Sequence, residues 1–298
     1  GWLANIKHHF VVAAIPEAEE SFSYQATYDE GRSLEKISAV GETTKTVFPG
    51  TTQKEEMSFY IGPKLQSKLK ELRPGLERSV DYGALSFLSK PLFWLLDKIH
   101  SFVGNWGLSI ILVTFCIKLV FYRLAETSGK SMARMRLLAP RIKAIQERFK
   151  DDKQAAGQAT MELYKKEKVN PLAGCWPMLV QIPFFIAFYW VLLESVEIRQ
   201  APFFLWIQDL SSRDPYFILP LLMGAGMFFQ QKLNPPPPDP MQAKMMWIMP
   251  LVFSVMFFFF PAGLVLYWIT NNILSIAQQW MINTRMGVPP QFNLPKFN

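Results

Sequence analysis

The chain has 298 residues, 50% of them hydrophobic and only 18% charged, and phenylalanine alone occurs 25 times. That balance excludes a disordered chain or a basic nucleic-acid tail, and the uneven spread of the apolar residues fits a soluble globule badly. Two Cys exclude a disulfide scaffold and a thiolate metal cluster, and three His leave little for a histidine metal site.

The net charge of +7 is sharply partitioned. Residues 1–100 carry 12 Lys/Arg and 13 Asp/Glu, whereas residues 123–168 carry 12 Lys/Arg and 6 Asp/Glu. The basic block lies between two very apolar segments. It therefore fits the positive-inside pattern of a membrane protein better than a nucleic-acid face.

Residues 1–84 read as a water-facing, β-rich region. His9 to Pro16 is an apolar strand ended by proline. Phe22 and Tyr24 alternate with polar neighbours, Val47 and Phe48 do so less cleanly, and Met57 to Ile61 is a further strand. Lys64 to Leu72 reads as a short helix closed by Pro74-Gly75. These strands are too few to close a sandwich. The region is expected to begin inside a larger domain, the alternative being a small complete α+β domain. Residues 85–104 follow as an amphipathic helix, with Leu88, Leu92, Leu95, Leu96, Ile99 and Val103 on one face. That pattern suits a membrane interface, or else a surface helix of the preceding domain.

Five apolar stretches then begin near Trp106, Pro171, Tyr216, Met245 and Leu264. A span needs roughly 20 residues, so the third and fourth are short. The expected division is one span at 105–124, a basic helical hairpin at 125–169, four further spans within 170–283, and a tail at 284–298. In the hairpin, Met135, Leu138, Ile142, Ile145 and Phe149 form a seam, Asp151-Asp152 the turn and cap, and Ala156, Ala159 and Leu163 the return leg. Its outward cations Arg134, Arg136, Arg141, Lys143 and Arg148 are candidate docking residues. Placing the basic segments in the cytoplasm puts the N-terminal region outside and the C terminus inside. An outer domain has to be delivered there, so an upstream targeting segment or span is expected.

Lys118 is the one cation inside a span, about 18 Å along the first by helical rise, and no Asp or Glu lies in any of the five. A charge at that depth needs water, a partner or a route to snorkel. Thr114 lies one turn away on the same face. With Gln181, Ser254, Thr270, Asn271 and Asn272 it is a candidate lining for a hydrophilic groove, although each alone is also ordinary helix glue. Pro177 and Pro183 are expected to bend the second span, and Pro235 to Pro238 to stiffen the third connection. No HExxH, phosphate-binding glycine loop or GxSxG is present, so no enzyme, cofactor or metal is expected.

Asn105-Trp106-Gly107 with its span, the basic hairpin, and Asn170 to Cys175 through Gln181-Ile182-Pro183 resemble the YidC/Oxa1/Alb3 membrane insertase family, bacterial YidC type. So do Arg199 to Phe203, Asp209-Leu210 to Asp214-Pro215, and Phe260 to Trp268. The resemblance covers nearly the whole chain. It implies a multi-span α-helical membrane protein with a five-helix transmembrane core, a cytoplasmic hairpin and the end of a periplasmic β-sandwich domain. It implies insertion and folding of nascent membrane proteins in the bacterial inner membrane, alone or beside the Sec translocon, with ribosomes and lipids as partners and no sequence-specific nucleic acid. A client's apolar part would then move out against the second and fifth spans, where Phe184, Tyr267 and Trp268, with Met245 and Met249 near the fourth, offer a contact surface. Lys118 stands where the family's bacterial members usually have arginine, and Arg123 where proline is common. A channel or small-solute transporter using the same polar cavity is the alternative.

Overall fold

The computed structural model describes residues 2–16, 22–31, 34–42, 44–54, 56–170, 176–233 and 240–287. The chain divides into two units: Gly1–Gly83 with Leu193–Glu197, and Ala84–Leu192 with Ile198–Asn298.

The first unit is β-rich. Strands β1 (Leu3–Ile6), β2 (Phe10–Pro16) and β5 (Met57–Pro63) form an antiparallel sheet in the order β1-β2-β5. Strands β3 (Phe22–Asp29) and β4 (Leu34–Gly41) pair separately, Phe22 facing Gly41. Residues on a strand alternate between faces. Accordingly Val11, Ala13 and Ile15 are buried while Phe10 and Val12 are exposed, as are Phe59 and Ile61 on the paired strand. Helix α1 (Gln66–Leu72) lies inside the predicted 64–72 window. Val47 and Phe48 form no strand; both are exposed, and the chain turns beyond them at Gly50, whose φ of +82° suits glycine. The pattern also missed β1, which is only four residues long, and β4, whose Glu35-Lys36 interrupts the apolar alternation.

This unit buries polar groups in pairs. Lys64 is 3% exposed, with its Nζ 3.5 Å from Glu194 Oε2, and His8 Nδ1 lies 3.2 Å from Glu194 Oε1. The Tyr82 hydroxyl accepts from Gln66 Nε2 at 2.6 Å and lies 3.2 Å from Ser195 Oγ; its burial raises its pKa. Glu197 Oε1 accepts from Gln66 N, one of the free N–H groups at the start of α1. Residues 194, 195 and 197 thus each supply a polar partner to this unit.

The second unit is helical. Helix α2 (Ser86–Val103) falls within the expected 85–104 helix; of the expected face Leu92 and Leu96 are buried but Val103 is exposed, Phe93 is buried as well, and Phe87, Trp94 and Phe102 are exposed. Asn105 caps α3 (Trp106–Val120), its Oδ1 accepting from Leu108 N at 3.0 Å. After one residue, α4 (Tyr122–Arg148) leaves at 69°. The hairpin's first leg therefore begins at 122, a few residues before the expected boundary. Helix α5 (Lys153–Lys166) returns, with Asp152 as its cap as expected. Met135, Leu138, Ile142, Tyr164 and Val169 form the seam's core. On the return leg Thr160 and Tyr164 are the buried positions, one place beyond the half-buried Ala159 and Leu163.

Helices α6 (Trp176–Glu194), α7 (Ile218–Leu233), α8 (Pro240–Met256) and α9 (Ala262–Arg285) follow. Helix α9 packs on α3, α4 and α7, and α7 on α8. No single helix among the described residues is long and apolar enough to cross a membrane; the bent pair α3 and α4, taken together, has the length and composition to do so. For α3 the shortfall is one of rise, its 15 residues spanning about 23 Å against a hydrocarbon core of about 30 Å, whereas the 24-residue α9 is long enough and falls short in hydropathy. Pro183 lies inside α6 and Pro177 in its first turn. The Asn170-Pro171 start of the second stretch and the Pro235 to Pro238 link fall wholly or partly outside the described residues.

Candidate functional site

One cleft in the helical unit gathers α3, α4, α6 and α9. Thr114, Ile117, Lys118 and Phe121 line it from the first stretch, Leu124 and Ala125 from α4. Val180, Gln181 and Phe184 come from α6, Tyr267 and Asn271 from α9. It encloses about 50 Å³, enough for a few waters. No acid is among these residues.

Lys118 is held there by a partner that sequence reasoning missed. Its Nζ donates to Ser275 Oγ at 2.7 Å, and Ser275 Oγ donates in turn to Asn271 O at 2.7 Å. A signal existed: Asn271, Ser275 and Gln278 recur at spacings of four and three, a polar stripe on one face of α9. Gln278 Nε2 also reaches across, donating to Tyr122 O at 3.3 Å. Thr114 donates its hydroxyl to Ile110 O at 2.7 Å and is buried.

Four of the seven expected groove residues thus line the cleft: Lys118, Thr114, Gln181 and Asn271. Ser254, Thr270 and the buried Asn272 do not. Ser254 Oγ donates to Pro220 O at 2.8 Å, tying α8 to α7 where Gly224 allows close approach. Thr270 is buried and bonds back to Leu266 O within its own helix. Both act as helix glue. Of the expected contact surface, Phe184 and Tyr267 line the cleft, whereas Trp268 packs against the Phe185 and Phe257 rings. Met245 and Met249 are exposed on α8.

The hairpin cations also divide. Arg134, Lys143 and Arg148 are exposed. Arg141 Nη1 instead donates to Glu167 Oε1 at 2.6 Å and lashes the two legs together. Arg136 is half-buried, and burial lowers its pKa.

At the other end of α3 and α9, the loop 199–217 binds both helix starts. Asn105 Nδ2 donates to Phe203 O at 3.3 Å, and the Phe203 ring fills the space over Gly107. Ala262 N and Gly263 N donate to Ser212 O at 2.7 Å and Leu210 O at 2.9 Å, so loop carbonyls take the first free N–H groups of α9. Asp209 holds the loop's own shape. Its Oδ1 accepts from Gln200 N, Ser211 N and Ser211 Oγ, and its Oδ2 accepts from Ser212 Oγ. Asp214 accepts from Trp206 Nε1, Tyr216 N and Leu219 N.

The family profile described as "60Kd inner membrane protein" matches residues 98–288, and that of the "YidC periplasmic domain" matches residues 1–95. A Membrane protein insertase YidC from Nitrosococcus oceani is 54% identical over 286 residues, covering 96% of this chain and 52% of the relative. That of Thioalkalivibrio sulfidiphilus is 58% identical over 283 residues, 95% of this chain and 51% of the relative. The chain thus spans about half the length of these curated relatives. A crystal structure of active YidC insertase with its first transmembrane domain resolved superposes with a TM-score of 0.61 at 22% identity. That match covers 93% of this chain and 62% of the other, and shows a shared fold. The chain belongs to the family of the 60Kd inner membrane protein and YidC.

Proposed function

We propose that the protein is a membrane protein insertase of the inner membrane, which moves nascent transmembrane segments from water into lipid without covalent chemistry. The observation that carries this reading is the ammonium of Lys118 inside a cleft that no acid lines, beside the Gln181, Tyr267 and Asn271 side chains. Moving a polar group into hydrocarbon costs several kcal/mol. A cleft that offers hydrogen bonds and one positive charge lowers that cost for the polar flank of a client. Phe184 and Tyr267 meet its apolar part, and Met245 and Met249 extend the surface with adaptable thioethers. Short helices such as α3 are accommodated by local thinning of the bilayer, which shortens the path further.

The hairpin lies in the cytoplasm in this reading, where Arg134, Lys143 and Arg148 meet the ribosome. The β-rich unit and the 199–217 loop lie in the periplasm, five apolar helices cross the membrane, and the Sec translocon is a partner on some routes. Reconstitution into liposomes with a single-span client, scored by protease protection, tests the function. Insertion above empty liposomes is expected. Solute flux through client-free liposomes with no insertion would replace the reading by that of a channel.

A further inference from the structure

We infer that Ser275 is a positioning residue that aims the Lys118 ammonium, an inference that rests on the proposed insertase function. The bond pattern is directional. The Ser275 hydroxyl proton is committed to Asn271 O at 2.7 Å, so the oxygen's lone pairs are what the side chain presents to the ammonium, 2.7 Å away. A hydroxyl left free to rotate would have no such bias. Asn271, whose carbonyl fixes the serine, lines the cleft with its own side chain. One turn of α9 therefore sets both a cleft wall and the place of the charge.

Lysine makes such a device useful. Its ammonium sits on a flexible four-carbon stem with no planar fork to fix its direction. In a narrow cleft, a loose stem would swing the charge toward water and away from the polar flank it is to meet. An acidic partner would hold it too, but would neutralise the charge that a client's carboxylate is to find. A serine holds the ammonium and leaves its charge uncompensated.

The prediction is one of dependence. Serine to alanine at a helical, back-bonded position favours the helix, so S275A is expected to fold normally. It should reduce insertion of a client bearing one Asp in its translocated segment about fivefold, the size of one hydrogen bond. The matched neutral client should be affected much less. S275T keeps the hydroxyl and should restore insertion. In a K118A background, S275A should add nothing, because the serine acts through the lysine. Four variants (S275A, S275T, K118A and K118A with S275A) are compared on both clients in liposomes at matched insertase levels. A loss in S275A that persists undiminished in K118A, or that strikes both clients equally, would reduce Ser275 to a packing residue. Full activity of S275A beside an impaired K118A would overturn the inference alone. Full activity of K118A on the acidic client would overturn the electrostatic reading and this inference with it.

Discussion

Among the described residues, each unit draws a lysine at least partly out of water, and the two are treated in opposite ways. Lys64, 3% exposed, faces the Glu194 carboxylate at 3.5 Å. Lys118 faces the neutral hydroxyl of Ser275, in a cleft without an acid. Removing a charge from water is costly and is offset by an opposite charge or by hydrogen bonds. The first solution neutralises the ammonium and locks it. The second satisfies its hydrogen-bonding need and leaves its charge able to act on something else. In the proposed reading, the lysine paired with a carboxylate belongs to the scaffold, and the one held by neutral groups is left to meet a client.

The largest effect should come from breaking the paired one. E194Q leaves Lys64 buried with no carboxylate opposite it, and removing one partner of a buried pair costs about 3–5 kcal/mol. The β-rich unit should lose its resistance to limited proteolysis at a temperature where the parent resists. Replacing both partners by apolar residues of similar volume, K64M with E194L, should recover most of the loss, since the desolvation of both charges disappears together. If E194Q were as stable as the parent, Lys64 would belong with Lys118 and the contrast would fall.

The helical unit should be sensitive to shape where the β-rich unit is sensitive to charge. A Cβ on Gly107 would lie 2.0 Å from the Phe203 ring that binds the 199–217 loop to the start of α3. The ring is flanked by Phe204 and its backbone is held by Asn105, so it has little room to yield. G107A is expected to cost about 1–3 kcal/mol, the range for overpacking, read as a lower thermal unfolding midpoint in detergent.

K118A, by contrast, should leave that midpoint within about 0.5 kcal/mol of the parent, because it removes a charge without stranding an opposite one. Its effect belongs to function: about tenfold slower insertion of an acid-bearing client, or about 1.4 kcal/mol, with K118R close to the parent. A large drop in stability with no change in insertion would make Lys118 another scaffold lysine.

Much of this was legible in the sequence because it depends on local pattern. The alternation in Phe10–Pro16, the hairpin seam through Leu138 and Ile142, the Asp152 cap and the depth of Lys118 in an apolar run all lie on neighbouring residues. What was missed is non-local. Ser275 meets Lys118 across 157 positions, and Glu194 meets Lys64 across 130. Ser254 and Thr270 read as groove residues because they are polar residues in apolar stretches, and polarity alone does not say which neighbour takes up the hydroxyl. Their hydroxyls are in fact taken up by the Pro220 and Leu266 carbonyls. Val47 and Phe48 failed for the opposite reason, since an apolar pair with no strand to pair with does not make one.

Asp209 extends the contrast to an anion, with the smallest expected effect. Like Lys118 it is satisfied by neutral groups: the hydroxyls of Ser211 and Ser212 and the backbone N–H groups of Ser211 and Gln200. Partial burial pushes its pKa up, but these hydrogen bonds outweigh burial and hold it below the usual 3.8. The sign follows from which state binds protons more readily. With the folded pKa the lower of the two, the unfolded loop takes up a proton first as pH falls. The stabilisation is therefore fully present above about pH 4, close to the ordinary aspartate value, and is lost as pH falls through the folded pKa. Because the side chain is partly exposed, solvent screening keeps the gain below about 1 kcal/mol. Amide exchange at Gln200 and Ser211, corrected for intrinsic rates, should show protection that is level from pH 7 to 5 and declines below pH 4. D209N should show the weaker protection above about pH 4, with no such decline below it. A decline centred near pH 6 would point to a histidine elsewhere. Equal protection in D209N and the parent at pH 7 would show that the loop is held by its backbone bonds to α9 alone, with Asp209 an ornament of the turn rather than its clasp.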